Sequence, residues 1–132
     1  MSRRDADSVM PLACLIVDDS PTFCEAARAL LEREGVSVVG MATTSAEGFR
    51  LARALRPDLV LVDVMLGEDS GFDLALRLAD SASGNRSTVV LISTHSRSDF
   101  ADLIEESPAA GFLPKSEISA SALRRFRDRP QT

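Results

Sequence analysis

The chain of 132 residues has only two cysteines and one histidine, and nowhere does an apolar run approach the length of a membrane span. Two cysteines make no disulfide scaffold. Cys14 sits inside an apolar run and Cys24 on an expected helix, so both read as buried, reduced thiols rather than a bridge or a metal pair. A histidine can serve as a base, but the lone His95 follows a strand end and reads as a solvent-facing loop residue. The first nine residues carry Arg3 and Arg4 with no apolar stretch behind them, which does not make a signal peptide. There is no internal repeat and no low-complexity linker. A net charge of -5 argues against holding nucleic acid through the overall field, so no direct nucleic-acid or membrane partner is expected, and the chain reads as soluble and cytoplasmic.

What is there is an ordinary globular composition, 45% hydrophobic and 27% charged, in a length that suits one domain. Its organising stretch is Leu59-Val60-Leu61-Val62-Asp63, four apolar residues running into a carboxylate. An unbroken apolar run introduced by Pro57-Asp58 suits a strand buried on both faces. Similar runs are Leu12 to Val17, Val36 to Met41, Thr88 to Ile92 and the short Ala110 to Leu113. Helical stretches alternate with them. Ser20-Pro21 supplies an N-cap and a first-turn proline, Phe23, Ala26, Ala27, Leu30 and Leu31 form one face, and Gly35 stops that helix.

A second helix opens at Ser45 and ends before Pro57, with Gly48, Leu51, Ala52 and Leu55 on one side. Leu66 to Ser70 reads as a loop, Gly71 to about Ala82 as a third helix, and Phe100, Leu103 and Ile104 as the apolar face of a fourth. Ile118, Ala122, Leu123 and Phe126 mark the last, cut short by Pro130. Strand then helix, five times, predicts an α/β domain with a parallel sheet covered on both faces.

In such a sheet the carboxyl ends of the strands share one edge, where ligands bind. That edge collects Asp18, Asp19, Asp63 and Ser93, with Lys115 just past the fifth strand. Two carboxylates about 4 Å apart repel by roughly 4 kcal/mol at an effective dielectric near 20. Lys115 offsets part of this, and a hard divalent cation with oxygen ligands, Mg²⁺, suits the rest. Asp63 is then a nucleophile toward phosphorus, with Lys115 and the Ser93 hydroxyl on the phosphoryl oxygens. The plain alternatives are a helix-capping acid at Asp18-Asp19, a strand-end turn at Asp63 and polar strand ends at Ser93 and Thr94.

Five stretches, Leu15 to Ser20, Pro57 to Asp63, Gly71, Ile92-Ser93 and Gly111-Phe112-Leu113-Pro114-Lys115, resemble the receiver domain of two-component response regulators, in that order and over nearly the whole chain. The resemblance implies a five-stranded, doubly wound sheet of order 2-1-3-4-5, the flavodoxin-like receiver fold. It implies that Asp63 takes a phosphoryl group from a sensor histidine kinase or a phosphotransfer protein. Asp18, Asp19 and the Met65 backbone carbonyl would hold Mg²⁺ with Asp63. Ser93, beside Thr94, would be the switch hydroxyl, Phe112 a switch aromatic that moves inward in response, and Lys115 the partner of the phosphate. The face of the fourth helix, fifth strand and fifth helix would then meet a downstream protein or a second copy.

Two positions depart from the family pattern. Gly67 stands where the loop after the acceptor usually has proline, and Ser116 stands where proline usually follows the lysine in an often cis turn. The first departure is expected to loosen the loop. Met65 and His95 occupy the positions that tune phosphate lifetime in the family, and apolar Met65 predicts slow loss of the phosphate. The expected organisation is a flexible segment 1-11, a stand-alone receiver domain 12-127 and a tail 128-132, in a signalling protein rather than an enzyme. Two rivals remain: a pseudo-receiver binding module indifferent to phosphate, and a Mg²⁺-dependent aspartyl phosphohydrolase. The second normally has an acid two residues after the nucleophile, where Met65 stands. The arginines at 124, 125, 127 and 129 read as a favourable match to a helix C-terminus.

Overall fold

Each of the five apolar runs becomes a strand of one sheet. In the computed structural model, which describes residues 11–127, these are β1 (Ala13–Val17), β2 (Ser37–Ala42), β3 (Leu59–Asp63), β4 (Thr88–Ser93) and β5 (Gly111–Pro114). Every pairing is parallel and the order is β2-β1-β3-β4-β5, the order that the resemblance implies. The register aligns Val17 with Val62 and Asp63 with Ile92, so the polar strand ends meet at one edge.

Alternation along the strands divides the core in two. Cys14, Ile16, Leu59, Leu61, Val90 and Ile92 face one side, packed by Leu31 and Leu123 of helices α1 (Pro21–Arg33) and α5 (Ala120–Arg127). Leu15, Val17, Val60, Val62 and Leu91 face the other, under α2 (Ser45–Leu55), α3 (Gly71–Ala79) and α4 (Ala101–Glu106). β3 is buried at every residue, as its uninterrupted apolar run predicts.

The caps fit the local sequence. Ser20 Oγ accepts the Phe23 N–H at 3.2 Å with Pro21 opening α1, and Thr44 caps α2 through the Glu47 N–H. Gly35 leaves α1 at a φ of 93°, a conformation that suits glycine. Gly71 opens α3 directly against the end of β3. A Cβ there would overlap the Asp63 carbonyl oxygen and lie 2.9 Å from Val64 Cα. Only glycine lets this helix approach the backbone that carries Asp63.

Several local expectations are corrected. α1 turns Cys24, Ala27 and Leu31 inward and leaves Ala26 exposed, because Cys24 packs under β1 with its thiol 3.5 Å from the Asp18 carbonyl oxygen. Leu55 and Leu103 are 41% and 50% exposed, so neither belongs to the buried face expected for its helix. α3 ends at Ala79, not near Ala82; Asp80 is extended and its carboxylate accepts the Ala82 N–H, a local bond that competes with the helix. α4 begins only at Ala101, after a 3₁₀ turn over Arg97–Phe100.

The stretch from Leu66 to Ser70 is not a plain loop. It belongs to a short antiparallel hairpin pairing Met65–Leu66 with Asp69–Ser70. Both cysteines are free and buried. Among the described residues no peptide bond is cis, Ser116 lies in a 3₁₀ turn over Lys115–Glu117, and no helix is long and apolar enough to cross a membrane. The expected segment 1-11 (apart from Pro11), the tail 128-132, Arg129 and the stop at Pro130 lie outside the described residues.

Candidate functional site

Asp18 follows β1 and is fully buried. Its Oδ1 accepts the Ser20 N–H at 2.9 Å, a turn that starts α1. Its Oδ2 lies 2.6 Å from Lys115 Nζ, a close ion pair, but receives no well-aligned hydrogen bond. Asp19 is exposed, and its Oδ2 accepts the Gly67 N–H at 3.0 Å.

Asp63 closes β3 and is 7% exposed. Its Oδ1 accepts the Met65 N–H at 3.3 Å, and its Oδ2 lies 3.4 Å from Lys115 Nζ. Lys115, the chain's only lysine, follows β5 and also stands 4.2 Å from the centre of the Phe23 ring. A lysine stem in that position keeps its ammonium directed at both acids.

The electrostatics follow from burial. Burial and the negative charge of Asp18 push the Asp63 carboxyl above its usual range, while the Met65 N–H and Lys115 pull the other way. Burial opposes the charge on Lys115, but the close ion pair with Asp18 and the charge of Asp63 outweigh it and raise the ammonium.

One oxygen from each of Asp18, Asp19 and Asp63 falls within 4.8 Å of the others. Three hard carboxylate donors, one of them buried with an oxygen short of hydrogen bonds, fit a hard divalent cation such as Mg²⁺ and not a thiolate-seeking metal. These three acids would hold it.

Ser93 ends β4 and is 2% exposed. Its Oγ accepts the His95 N–H at 2.9 Å and lies 3.5 Å from His95 Nδ1. Thr94 is exposed. Phe112 is 6% exposed, beside Leu91 in the core above the sheet, so its ring already lies inward. Met65 is 54% exposed at the mouth of the site. Asp18, Asp19, Asp63 and Lys115 thus come together directly, whereas the Ser93 hydroxyl is engaged with His95.

Two features of the site were not anticipated from sequence. His95 is exposed, yet its ring is held edge-on to Phe100 at 5.9 Å and reaches Ser93. Gly67 does more than loosen a loop. Its φ of 62° turns the hairpin, and its N–H ties that hairpin to Asp19. A proline could do neither; the departure from the family pattern was the available signal.

Known proteins resemble this chain in sequence and in fold. PdtaR, a transcriptional regulatory protein of Mycobacterium tuberculosis, is 30% identical over 111 residues, covering 84% of this chain and 53% of its own. The chain spans about half the length of the first curated relatives that it matches. Among solved structures, the signal receiver domain of NarL from Mycobacterium tuberculosis superposes with a TM-score of 0.78 at 28% identity, over 90% of this chain and 98% of that one. A two-component response regulator of the LuxR family from Aurantimonas sp. SI85-9A1 gives 0.72 at 31% identity, over 86% and 81%. The family described as the response regulator receiver domain matches residues 14–126. With the sheet order, the acid cluster and the lysine already in hand, the chain belongs to the response regulator receiver domain family of two-component systems.

Proposed function

We propose that this chain is a phosphorylation-controlled switch whose acceptor is Asp63, and that a sensor histidine kinase or phosphotransfer protein supplies the phosphoryl group. The family supports phosphorylation-regulated signalling, and its members are generally switches rather than enzymes. The observation that carries the finer reading is Lys115 Nζ standing within 3.4 Å of both Asp18 and Asp63. A carboxylate oxygen of Asp63 attacks phosphorus, the bond from phosphorus to the donor histidine nitrogen breaks, and that nitrogen keeps the electron pair. Lys115 pairs with the incoming oxygens and Asp63 stays aimed by the Met65 N–H. Mg²⁺, bound by Asp18, Asp19, Asp63 and the Met65 carbonyl, would supply neutralising charge for the phosphoryl group.

The phosphoaspartate adds charge at the sheet edge. Ser93 exchanges its contact with His95 for the phosphate, Thr94 moves with it, and buried Phe112 couples that shift to β5. The output face is α4, β5 and α5, where half-exposed Leu103 offers apolar surface to a downstream protein or a second copy. The receiver unit on this reading is 12-127, acting in the cytoplasm.

Treatment of the chain with acetyl phosphate and Mg²⁺ tests the acceptor. A gain of about 80 Da, one phosphoryl group, that vanishes in Asp63→Asn and without Mg²⁺ is the expected result. No gain in a folded wild-type chain overturns the proposal and leaves a binding module indifferent to phosphate.

A further inference from the structure

At the end of the sheet away from Asp63 lies a cleft of about 830 Å³. Its walls are the last turns of α2, the Arg56-Pro57-Asp58 link into β3, the turn before β4 and the end of α5. Five arginines line it: Arg50, Arg53, Arg56, Arg86 and Arg127. The chain as a whole carries a net charge of -5 and only fifteen lysines and arginines, so a third of its cationic side chains converge on this one hollow.

Among the described residues, little on the walls balances Arg50, Arg53, Arg56 and Arg86. Asp58 is the one carboxylate among the described lining residues, and its Oδ2 already accepts the Ala13 N–H at 2.9 Å. Glu47 reaches Arg50 at 3.8 Å. Like charges gathered in a concavity focus a positive field into it.

Two further features go beyond a solvated basic surface. Arg56 is the only non-glycine residue among those described with a positive φ, 49°, at the left-handed cap of α2 where glycine is the unstrained choice. A long cationic side chain is thus kept at a position that costs backbone energy, a pattern that belongs to sites more than to plain surface. Arg53 and Arg77 both stack on the Phe49 ring, at 5.7 and 4.4 Å, so the Arg53 guanidinium is held rather than free to roam.

Guanidinium forks match phosphate oxygens two at a time, and several together select several charges. The volume is that of a small-ligand cleft. A nucleic-acid track would need a continuing basic groove, against an acidic chain. We propose that this cleft binds a small, multiply charged phosphate compound of nucleotide size, independently of the acidic centre around Asp63.

The test is calorimetric titration of the whole chain with inorganic tripolyphosphate and with adenosine triphosphate. EDTA is present, so that no metal recruits the probe to the acidic centre, and the ionic strength is about 0.15 M, where loose surface attraction is screened. Saturable one-to-one binding of either probe is expected, weakened about tenfold or more by Arg56→Gly and by Arg53→Gln, given the strength of hydrogen bonds to charged groups. Arg56→Gly suits the left-handed cap and keeps the fold, which a melting curve verifies. Arg97→Gln, an exposed arginine at the other end of the sheet, should bind as wild type does. Absence of saturable binding by both probes overturns the proposal. So does an equal loss in Arg97→Gln, or an oligonucleotide that binds more tightly than either probe and depends on the same arginines.

Discussion

Lys115 Nζ stands closer to Asp18 Oδ2, at 2.6 Å, than to Asp63 Oδ2, at 3.4 Å. The lysine therefore leans toward the more deeply buried acid. Asp18 is fully buried and cannot shed its charge into water, whereas Asp63 opens partly to the site mouth. The single cation of the site compensates the acid that needs it most and leaves Asp63 the less tightly held of the two.

Removing the ammonium should then act mainly through Asp18. In Lys115→Met the stem survives and the buried carboxylate loses its partner. Breaking a buried pair from one side costs about 3–5 kcal/mol. Urea unfolding without divalent metal should register a loss of this order, and millimolar Mg²⁺ should recover part of it by supplying charge to the same acids. A variant as stable as wild type without metal would mean that the close pairing with Asp18 adds nothing to stability.

Asp19 contributes differently, because it is exposed and its Oδ2 is engaged by Gly67. Asp19→Asn removes one negative charge near Asp63 and keeps an acceptor for the Gly67 N–H. Without metal its stability should match or slightly exceed wild type, by under about 1 kcal/mol as for exposed charges. A ligand present at a hundred times its Kd stabilises by about 2.7 kcal/mol, so saturating Mg²⁺ should raise the wild-type Tm and raise the variant's by less than half as much. An undiminished shift would remove Asp19 from the ligand set.

Gly67 gives a test of the hairpin that shapes the site. Proline fixes φ near −65° and carries no N–H, while this position has a φ of 62° and donates to Asp19. Gly67→Pro, a change toward the family pattern, should destabilise by about 2–3 kcal/mol, and Gly67→Ala by about 1 kcal/mol. Denaturant midpoints should fall in the order Gly, Ala, Pro. Equal midpoints for Gly and Pro would show that the hairpin rearranges freely.

The legibility of this chain divides by how local the cause is. β3 could be read because a strand buried on both faces leaves an unbroken apolar run, and Asp63 because it ends that run. Gly71 was visible only as a motif residue; its need to clear the Asp63 carbonyl oxygen arises from α3 lying on β3. Ala26 was assigned to the buried face because several rotations of α1 satisfy the same apolar pattern, and the choice falls to the space beneath β1, which Cys24 fills. The contact of His95 with Ser93 depends on Phe100 packing behind the imidazole. The arginines at 50, 53, 56, 86 and 127 are scattered along the chain and meet only when α2, α5 and the strand links close one end of the sheet.

The thiols predict an alkaline limit on stability. Burial pushes Cys14 from 9.0 up to about 12, and burial with the charge of Asp18 pushes Cys24 to about 11. The folded chain holds these protons after the unfolded chain has released them. Their stabilising contribution is therefore complete below about pH 9 and is lost as pH climbs through the folded values near 11 and 12. Native protein should react with a thiol reagent at pH 8 far more slowly than denatured protein. Cys14→Ala should show a shallower loss of stability between pH 9 and 11 than wild type, with the slope that remains in that window belonging to Cys24. Equal reactivity of native and denatured thiols would contradict the burial of both.

On the proposed function, Met65 carries a prediction about how long the phosphate lasts. Its N–H aims Asp63, but its exposed side chain stands at the mouth of the site with no group able to orient a water molecule for attack on phosphorus. The phosphoaspartate should therefore persist once the donor is removed. Met65→Asn adds an amide that donates and accepts where water must line up, and positioning alone changes rates by large factors, so the phosphate should decay on the order of tenfold faster. Intact-mass measurement of the phosphorylated fraction over time, after removal of acetyl phosphate, gives both lifetimes. A wild-type lifetime of seconds, unchanged or lengthened in Met65→Asn, would assign the control of decay elsewhere, with His95 beside Ser93 the next residue to exchange.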